Sequence, residues 1–275
     1  MLGKTLARQF AQETGQSLRL EYRGGNAGVA GATYVAKSPA NGMHLLMGGT
    51  SMVVSRAVQL QLDVDLYEEF VPLALVAELP MVLVVNPRKL VARTWTEMLA
   101  ELRRKPARYR YASAGTGSFN HIAVEWLKHE TGALLEHVPY KGSGPALQDV
   151  AMGNVDLMLD SLASALPHLQ ADRLRPVWVT GAERSHLLPE VPAVREVGLP
   201  DFQIHPWYGI FAPKATPVDV QSRVIEVFRA MATAPQVQKE WQSMGARWPG
   251  LYGADFTRFV QEEMQRWASI VRHAT

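Results

Sequence analysis

A chain of 275 residues that is 47% hydrophobic and 20% charged can bury one large core or two ordinary ones. With Lys+Arg 28 against Asp+Glu 26 the formal net charge is +2, so no whole-molecule field draws nucleic acid or an anionic membrane. The absence of cysteine excludes disulfides, thiolate metal sites and a cysteine nucleophile.

Leu2, Leu6, Phe10 and Ala11 share one helical face and Gly15 supplies a stop, so the chain opens as an amphipathic helix rather than a secretory signal. Leu18 to Tyr22 reads as a strand, followed by Gly24, Gly25, Gly28 and Gly31 and a helix over Ala30 to Lys37. A second strand, His44 to Met47, is closed by Gly48-Gly49-Thr50-Ser51. Leu73 to Val76 and Met81 to Val85 are further short strands. The apolar stretch that contains them is broken by Pro72, Glu78 and Pro80 and is too short to span a bilayer as a helix. Thr94 and Glu97 announce a helix from about Thr96 to Arg104, with basic residues near its end.

From Arg108 the alternation of strand and helix restarts, which predicts a second sheet. Its first strand runs into Tyr111-Ala112-Ser113-Ala114-Gly115-Thr116-Gly117-Ser118, and a helical pattern follows. Glycine tolerates positive φ, so such a turn aims successive backbone N–H groups at one point, to which the next helix adds its positive end. That combination suits a carboxylate or phosphate, although a purely structural turn has the same letters. Strand Val138 to Tyr140, helix Gly144 to Met152, strand Val155 to Leu159, helix Ser161 to Gln170 and strand Val177 to Thr180 complete this half. Asp160 then ends a strand at the carboxyl edge where open α/β sheets bind ligands, or it N-caps the helix from Ser161. Phe202 to Phe211 reads as extended, with Trp207 as either core or cleft wall. Helices over Pro217 to Ala232, about Val237 to Met244 and Ala254 to His273 close the chain.

Competing chemistries find little support. The Gly25 to Gly31 turn lacks the G-x-G-x-x-G spacing and the acidic residue of a dinucleotide site. His129-Glu130 is followed by Ala133 where a zincin needs His, and the remaining histidines are scattered. Lys141-Gly142-Ser143-Gly144-Pro145 has its serine out of register for a nucleophile elbow. Arg103, Arg104, Lys105, Arg108 and Arg110 form one basic run, read as a solvated face at a helix end. No metal and no cofactor are expected. A hydrolase or transferase using Ser118, His121 and Asp160 as nucleophile, base and orienting acid is the enzymatic alternative, and a sensor's ligand receptor is a third.

Several motifs occur in a characteristic order. They are Tyr111 to Ser118 with His121, then His137-Val138-Pro139-Tyr140-Lys141-Gly142, Gly153-Asn154-Val155-Asp156 with Asp160, and Gly198-Leu199-Pro200 with Trp207 and Gly209. Together they resemble the Bug-type substrate-binding proteins of tripartite tricarboxylate transporters, over the whole chain. The resemblance implies an α/β, two-domain fold of the type II periplasmic-binding-protein kind. It implies a two-strand hinge, a ligand cleft between the domains, and a first strand missing from this chain. The domains expected are residues 1–104 plus 208–275, and residues 105–207. The resemblance also implies a periplasmic, monomeric, non-enzymatic receptor that hands a small carboxylate to transporter subunits in the membrane, with no nucleic-acid partner. The ligand classes implied are dicarboxylates, acidic amino acids and aromatic acids. The ligand-binding residues implied are Ser113, Ala114, Gly115, Thr116, Gly117, Ser118 and Asp160, with Thr50, Ser51 and Trp207. Family members carry a strand and a Pro/Gly-rich loop before the helix that here starts at Met1, so the chain is expected to be an N-terminally shortened form of a secreted precursor.

Overall fold

The computed structural model describes residues 2–23, 28–58 and 68–274. The glycine turn expected at residues 24–27 lies outside them. The chain divides into two units, Met1–Glu78 with Trp207–Ala268, and Leu79–Pro206 with Ser269–Thr275.

Unit 1 is built on a three-stranded antiparallel sheet. Its central strand β8 (Trp207–Pro213) lies between β1 (Leu46–Gly49) and β2 (Phe70–Glu78). Helices α1 (Leu2–Thr14), α2 (Val29–Ala36), α3 (Thr50–Val58), α8 (Val218–Ala232), α9 (Pro235–Ser243) and most of α10 (Gly253–Ala274) accompany it. Glycine is required at two close approaches along this sheet. A Cβ at Gly209 would lie 2.1 Å from the Phe256 ring, and one at Gly49 would lie 2.2 Å from the Trp207 carbonyl oxygen. Aromatic residues fill the core: Trp207 packs edge-on to Phe256 at 5.9 Å, and Phe70 to Phe211 at 6.5 Å. One buried carboxylate oxygen, Oε2 of Glu263, accepts the indole N–H of both Trp207 (3.0 Å) and Trp267 (3.1 Å).

Unit 2 holds a five-stranded sheet in the order β5-β4-β6-β3-β7. The strands are β3 (Met81–Val85), β4 (Arg110–Ser113), β5 (Glu136–Pro139), β6 (Leu157–Ser161) and β7 (Arg175–Val179). β4 runs parallel to β5 and β6, while β3 is antiparallel to β6 and β7. Helices α4 (Trp95–Arg104), α5 (Phe119–Thr131), α6 (Ser143–Met152) and α7 (Leu162–Gln170) connect the strands. α4 starts where the sequence places it: the Thr94 hydroxyl accepts the Glu97 N–H at 3.3 Å, and the Glu97 carboxylate accepts the Thr94 N–H at 3.2 Å.

Five expectations change. Residues 79–104 belong to unit 2 rather than to the first domain, because β3 is an interior strand of the five-stranded sheet. Ser269–Thr275 joins unit 2 as well. Leu18 to Tyr22 forms no strand, and β1, at the edge of the sheet, pairs only with β8 among the described residues. β1 is shifted to Leu46–Gly49, and α3 follows without a connecting loop, a helix the sequence reading missed. β6 is shifted to Leu157–Ser161, which puts Asp160 inside the strand, opposite Val82, rather than beyond its end.

Candidate functional site

β4, β5 and β6 point the same way, and each is followed by a helix, so the N-termini of α5, α6 and α7 gather at one edge of the sheet. β4 is the switch point, since β5 and β6 lie on opposite sides of it. Each helix contributes unpaired first-turn N–H groups and a partial positive charge. α5 is capped by the Ser118 hydroxyl, which accepts the His121 N–H at 3.4 Å, and α7 by Ser161, which accepts the Ser164 N–H at 3.3 Å. α6 begins at Gly142, with φ 113 and no side-chain cap, so its first-turn donors stay open.

The loop from β4 to α5 is held from within. Gly115 (φ 135) and Gly117 (φ 75) both take the left-handed backbone that disfavours other residues. Gly115 N–H donates to the Ser113 hydroxyl at 3.1 Å, Gly117 N–H to His121 Nδ1 at 3.3 Å, and Ser118 N–H to the Gly115 carbonyl at 3.1 Å. Of Gly115 to Ser118, Thr116 alone has a backbone N–H with no partner among the described residues. The loop is pinned to the end of β5 as well, through Tyr140 N–H to Ser113 and Gly142 N–H to Ala114.

Beneath the loop lies an imidazole pair, His121 and His137; the sequence reading considered His121 only as a catalytic base and did not foresee the pairing. His137 Nε2 is 2.7 Å from the Ser113 hydroxyl, and the His121 and His137 rings lie 4.1 Å apart. Tyr111 stacks on His137 at 4.9 Å and donates its hydroxyl to Glu125. Burial pushes His137 down to about 4, with His121 beside it adding to the shift, and burial also lowers His121. Both rings are therefore neutral at pH 7, which leaves His121 Nδ1 free to accept from Gly117.

Asp160 is buried. Its Oδ1 accepts Asn120 Nδ2–H at 2.9 Å and the Ser143 hydroxyl at 3.1 Å, while Oδ2 is enclosed with no hydrogen-bond partner. Burial raises the carboxyl to about 6 despite those donors and the Ser161 N–H. The helix-cap reading of Asp160 fails, since Ser161 caps α7. Asn120 and Ser143 complete this cluster, and the sequence reading did not join them to Asp160 because the contact depends on α5 and α6 meeting the end of β6.

The remaining expected residues lie in unit 1. The Thr50 hydroxyl is buried and accepts the Trp207 N–H at 2.7 Å, and Ser51 beside it is exposed at the start of α3. The Trp207 side chain is 1% exposed and enclosed by core aromatics, so its ring serves packing, and its backbone holds Thr50. Ser118, His121 and Asp160 make no side-chain to side-chain hydrogen bonds to one another among the described residues. The Ser118 hydroxyl caps its helix, His121 faces Gly117 and Asp160 faces Asn120 and Ser143. No group of three metal-ligating side chains occurs among the described residues, and no helix there is long and apolar enough to cross a membrane.

Comparison with known proteins agrees with this architecture. The family model "Tripartite tricarboxylate transporter family receptor" matches residues 2–275. Protein BugT of Bordetella pertussis is 31% identical over 287 residues, which cover 99% of this chain and 84% of that protein. The structure of R. palustris Rpa4515 with adipate superposes with a TM-score of 0.92 at 30% identity, covering 100% of this chain and 92% of that one. MatC (Rpa3494) from Rhodopseudomonas palustris with bound malate superposes with a TM-score of 0.88 at 27% identity, covering 98% and 93%. The chain belongs to the tripartite tricarboxylate transporter receptor family, with the mixed α/β fold of periplasmic binding proteins.

Proposed function

We propose that this chain is a periplasmic solute receptor that captures a small organic carboxylate and delivers it, unmodified, to membrane subunits of a tripartite tricarboxylate transporter. The observation that carries this reading is the convergence of the α5, α6 and α7 N-termini at the carboxyl ends of β4, β5 and β6. Thr116 N–H and the uncapped first turn of α6 supply donors there. A carboxylate seated on these donors receives charge-assisted hydrogen bonds from backbone that needs no reorganisation. Ser113 and Gly115 hold the loop's shape, Ala114 ties it to α6, Gly117 and Ser118 set the start of α5, and Asp160 reads what the ligand carries beyond its first carboxylate. In unit 1, Thr50 and Ser51 at the start of α3 remain proposed ligand-binding residues, with the Thr50 hydroxyl held by the Trp207 N–H.

The relatives solved with adipate and malate support the carboxylate class. A thermal-shift screen over mono-, di- and tricarboxylates, acidic amino acids and aromatic acids tests the reading. At least one carboxylate is expected to raise the melting temperature in a saturable way with no product formed, as ligand linkage requires. A chain that melts cooperatively and shifts with none of them, or that turns one over, contradicts it.

A further inference from the structure

Asp160 is chemically unusual for an anion-binding edge. A carboxyl group stands where three helix N-termini meet; Oδ1 takes two side-chain donors, the adjacent Ser161 N–H also favours the ionised form, and Oδ2 is enclosed with no hydrogen-bond partner among the described residues. Among the described residues no cation offsets it. On β3 its ladder partner is Val82; α5 presents Asn120, α6 presents Ser143 and α7 begins with Ser161. None of the titratable groups on those helices enters its electrostatics: not His121, Glu125 or Lys128 of α5, not Asp149 of α6, and not His168 of α7. Glu125 is engaged by Lys128 and Tyr111, and Asp149 by Tyr140. An enclosed carboxylate oxygen with neither donor nor cation is relieved in two ways: it binds a proton, or it meets a donor brought from outside.

We propose that ligand capture at this edge is coupled to the proton on Asp160 Oδ2. The neutral acid accepts ligands that offer only carboxylate oxygens, and the ionised form accepts ligands that bring an N–H or O–H donor. This rests on the reading of unit 2 as a carboxylate site. Protonated Oδ2 donates one hydrogen bond, which a ligand oxygen takes up. Ionised Oδ2 repels that same oxygen and instead accepts from an ammonium or hydroxyl. Because the carboxyl is raised to about 6, its proton is mostly lost at neutral pH. A ligand without donors must therefore bring a proton with it. Its affinity falls roughly tenfold for each pH unit above that value, since a tenfold smaller fraction of the receptor is competent. A 2-amino carboxylate binds the majority form and shows no such fall.

Calorimetric titration with succinate, adipate, malate and aspartate between pH 6.5 and 8.5 tests this. Each titration is run in two buffers of different ionisation enthalpy, on the chain and on Asp160→Asn. Whichever of succinate and adipate binds is expected to take up close to one proton and to weaken roughly tenfold per pH unit. Aspartate is expected to bind with no uptake, and Asp160→Asn to flatten the profile of the donor-free ligand. The proton count comes from the unsubstituted chain, so the test stands even if the variant fails to fold. Carboxylate binding with no proton uptake by donor-free ligands, or with the same pH profile in both proteins, overturns the coupling and leaves the receptor reading intact. Heat from none of the four ligands, with the chain folded by circular dichroism, overturns the coupling and removes the support for a carboxylate site.

Discussion

Asp160→Asn changes how stability depends on pH. In the folded chain the carboxyl is raised to about 6 from an ordinary 3.8, chiefly by burial. Between those two values the folded state holds a proton that the unfolded state has released, so stability falls as pH rises through this window and levels off above it. The shift of about 2 pKa units corresponds to about 3 kcal/mol lost from the native state by pH 7 to 8. Asparagine preserves the acceptor for Asn120 and Ser143 and cannot ionise. It leaves a buried amide N–H without an acceptor, a penalty of about 1–3 kcal/mol that does not vary with pH. The offset between the two proteins is therefore ambiguous, but its slope is not. Urea unfolding at pH 4, 5, 6, 7 and 8 measures that slope. The variant is expected to gain about 2.5 kcal/mol on the parent between pH 4 and pH 8, most of it below pH 6.5. A difference that stays flat across the series, or that moves toward the parent as pH rises, refutes the argument that Asp160 is desolvated without compensation.

Gly117→Val places a β-branched residue at φ 75, a conformation costing about 1–2 kcal/mol, and disturbs the N–H held by His121; carboxylate affinity is expected to drop at least tenfold by calorimetry on the folded variant. Thr50→Val removes the acceptor of the buried Trp207 N–H and is expected to cost about 1–3 kcal/mol in urea unfolding. Thr94→Ala breaks the capping box of α4 and is expected to cost about 1 kcal/mol while leaving ligand affinity unchanged.

Helices were legible in the sequence where local chemistry marks their ends. Thr94 with Glu97 and Gly15 at φ 70 are signals carried by a few neighbouring residues, and α1 and α4 begin and end close to where those residues place them. Strands were legible as apolar runs but not in register. β1 and β6 both moved two residues toward the C-terminus, because pairing partners fix a strand's ends and those partners are distant in sequence. The same limit explains Leu18 to Tyr22, whose β-type letters find no ladder. It also explains the domain boundary, since nothing local shows that Met81 to Val85 lies between β6 and β7. At the site, the glycine turn before α5 was readable from its letters. That Gly115 and Gly117 donate inward, to Ser113 and His121, depends on side chains folding back over the turn. Trp207 illustrates the converse: its extended context suited both core and cleft, and Glu263, more than fifty residues away in sequence, decides for the core.

The central claim is that a carboxylate sits at the carboxyl ends of β4, β5 and β6, and amide chemical shifts test it residue by residue. Spectra of the 15N-labelled chain are recorded with and without a saturating carboxylate from the thermal-shift screen. The account predicts that the largest amide shifts fall on Thr116 and on Ser143 and Gly144 in the first turn of α6, with Asp160 responding beside them. Saturable binding that leaves those amides unmoved while shifting residues elsewhere would contradict it.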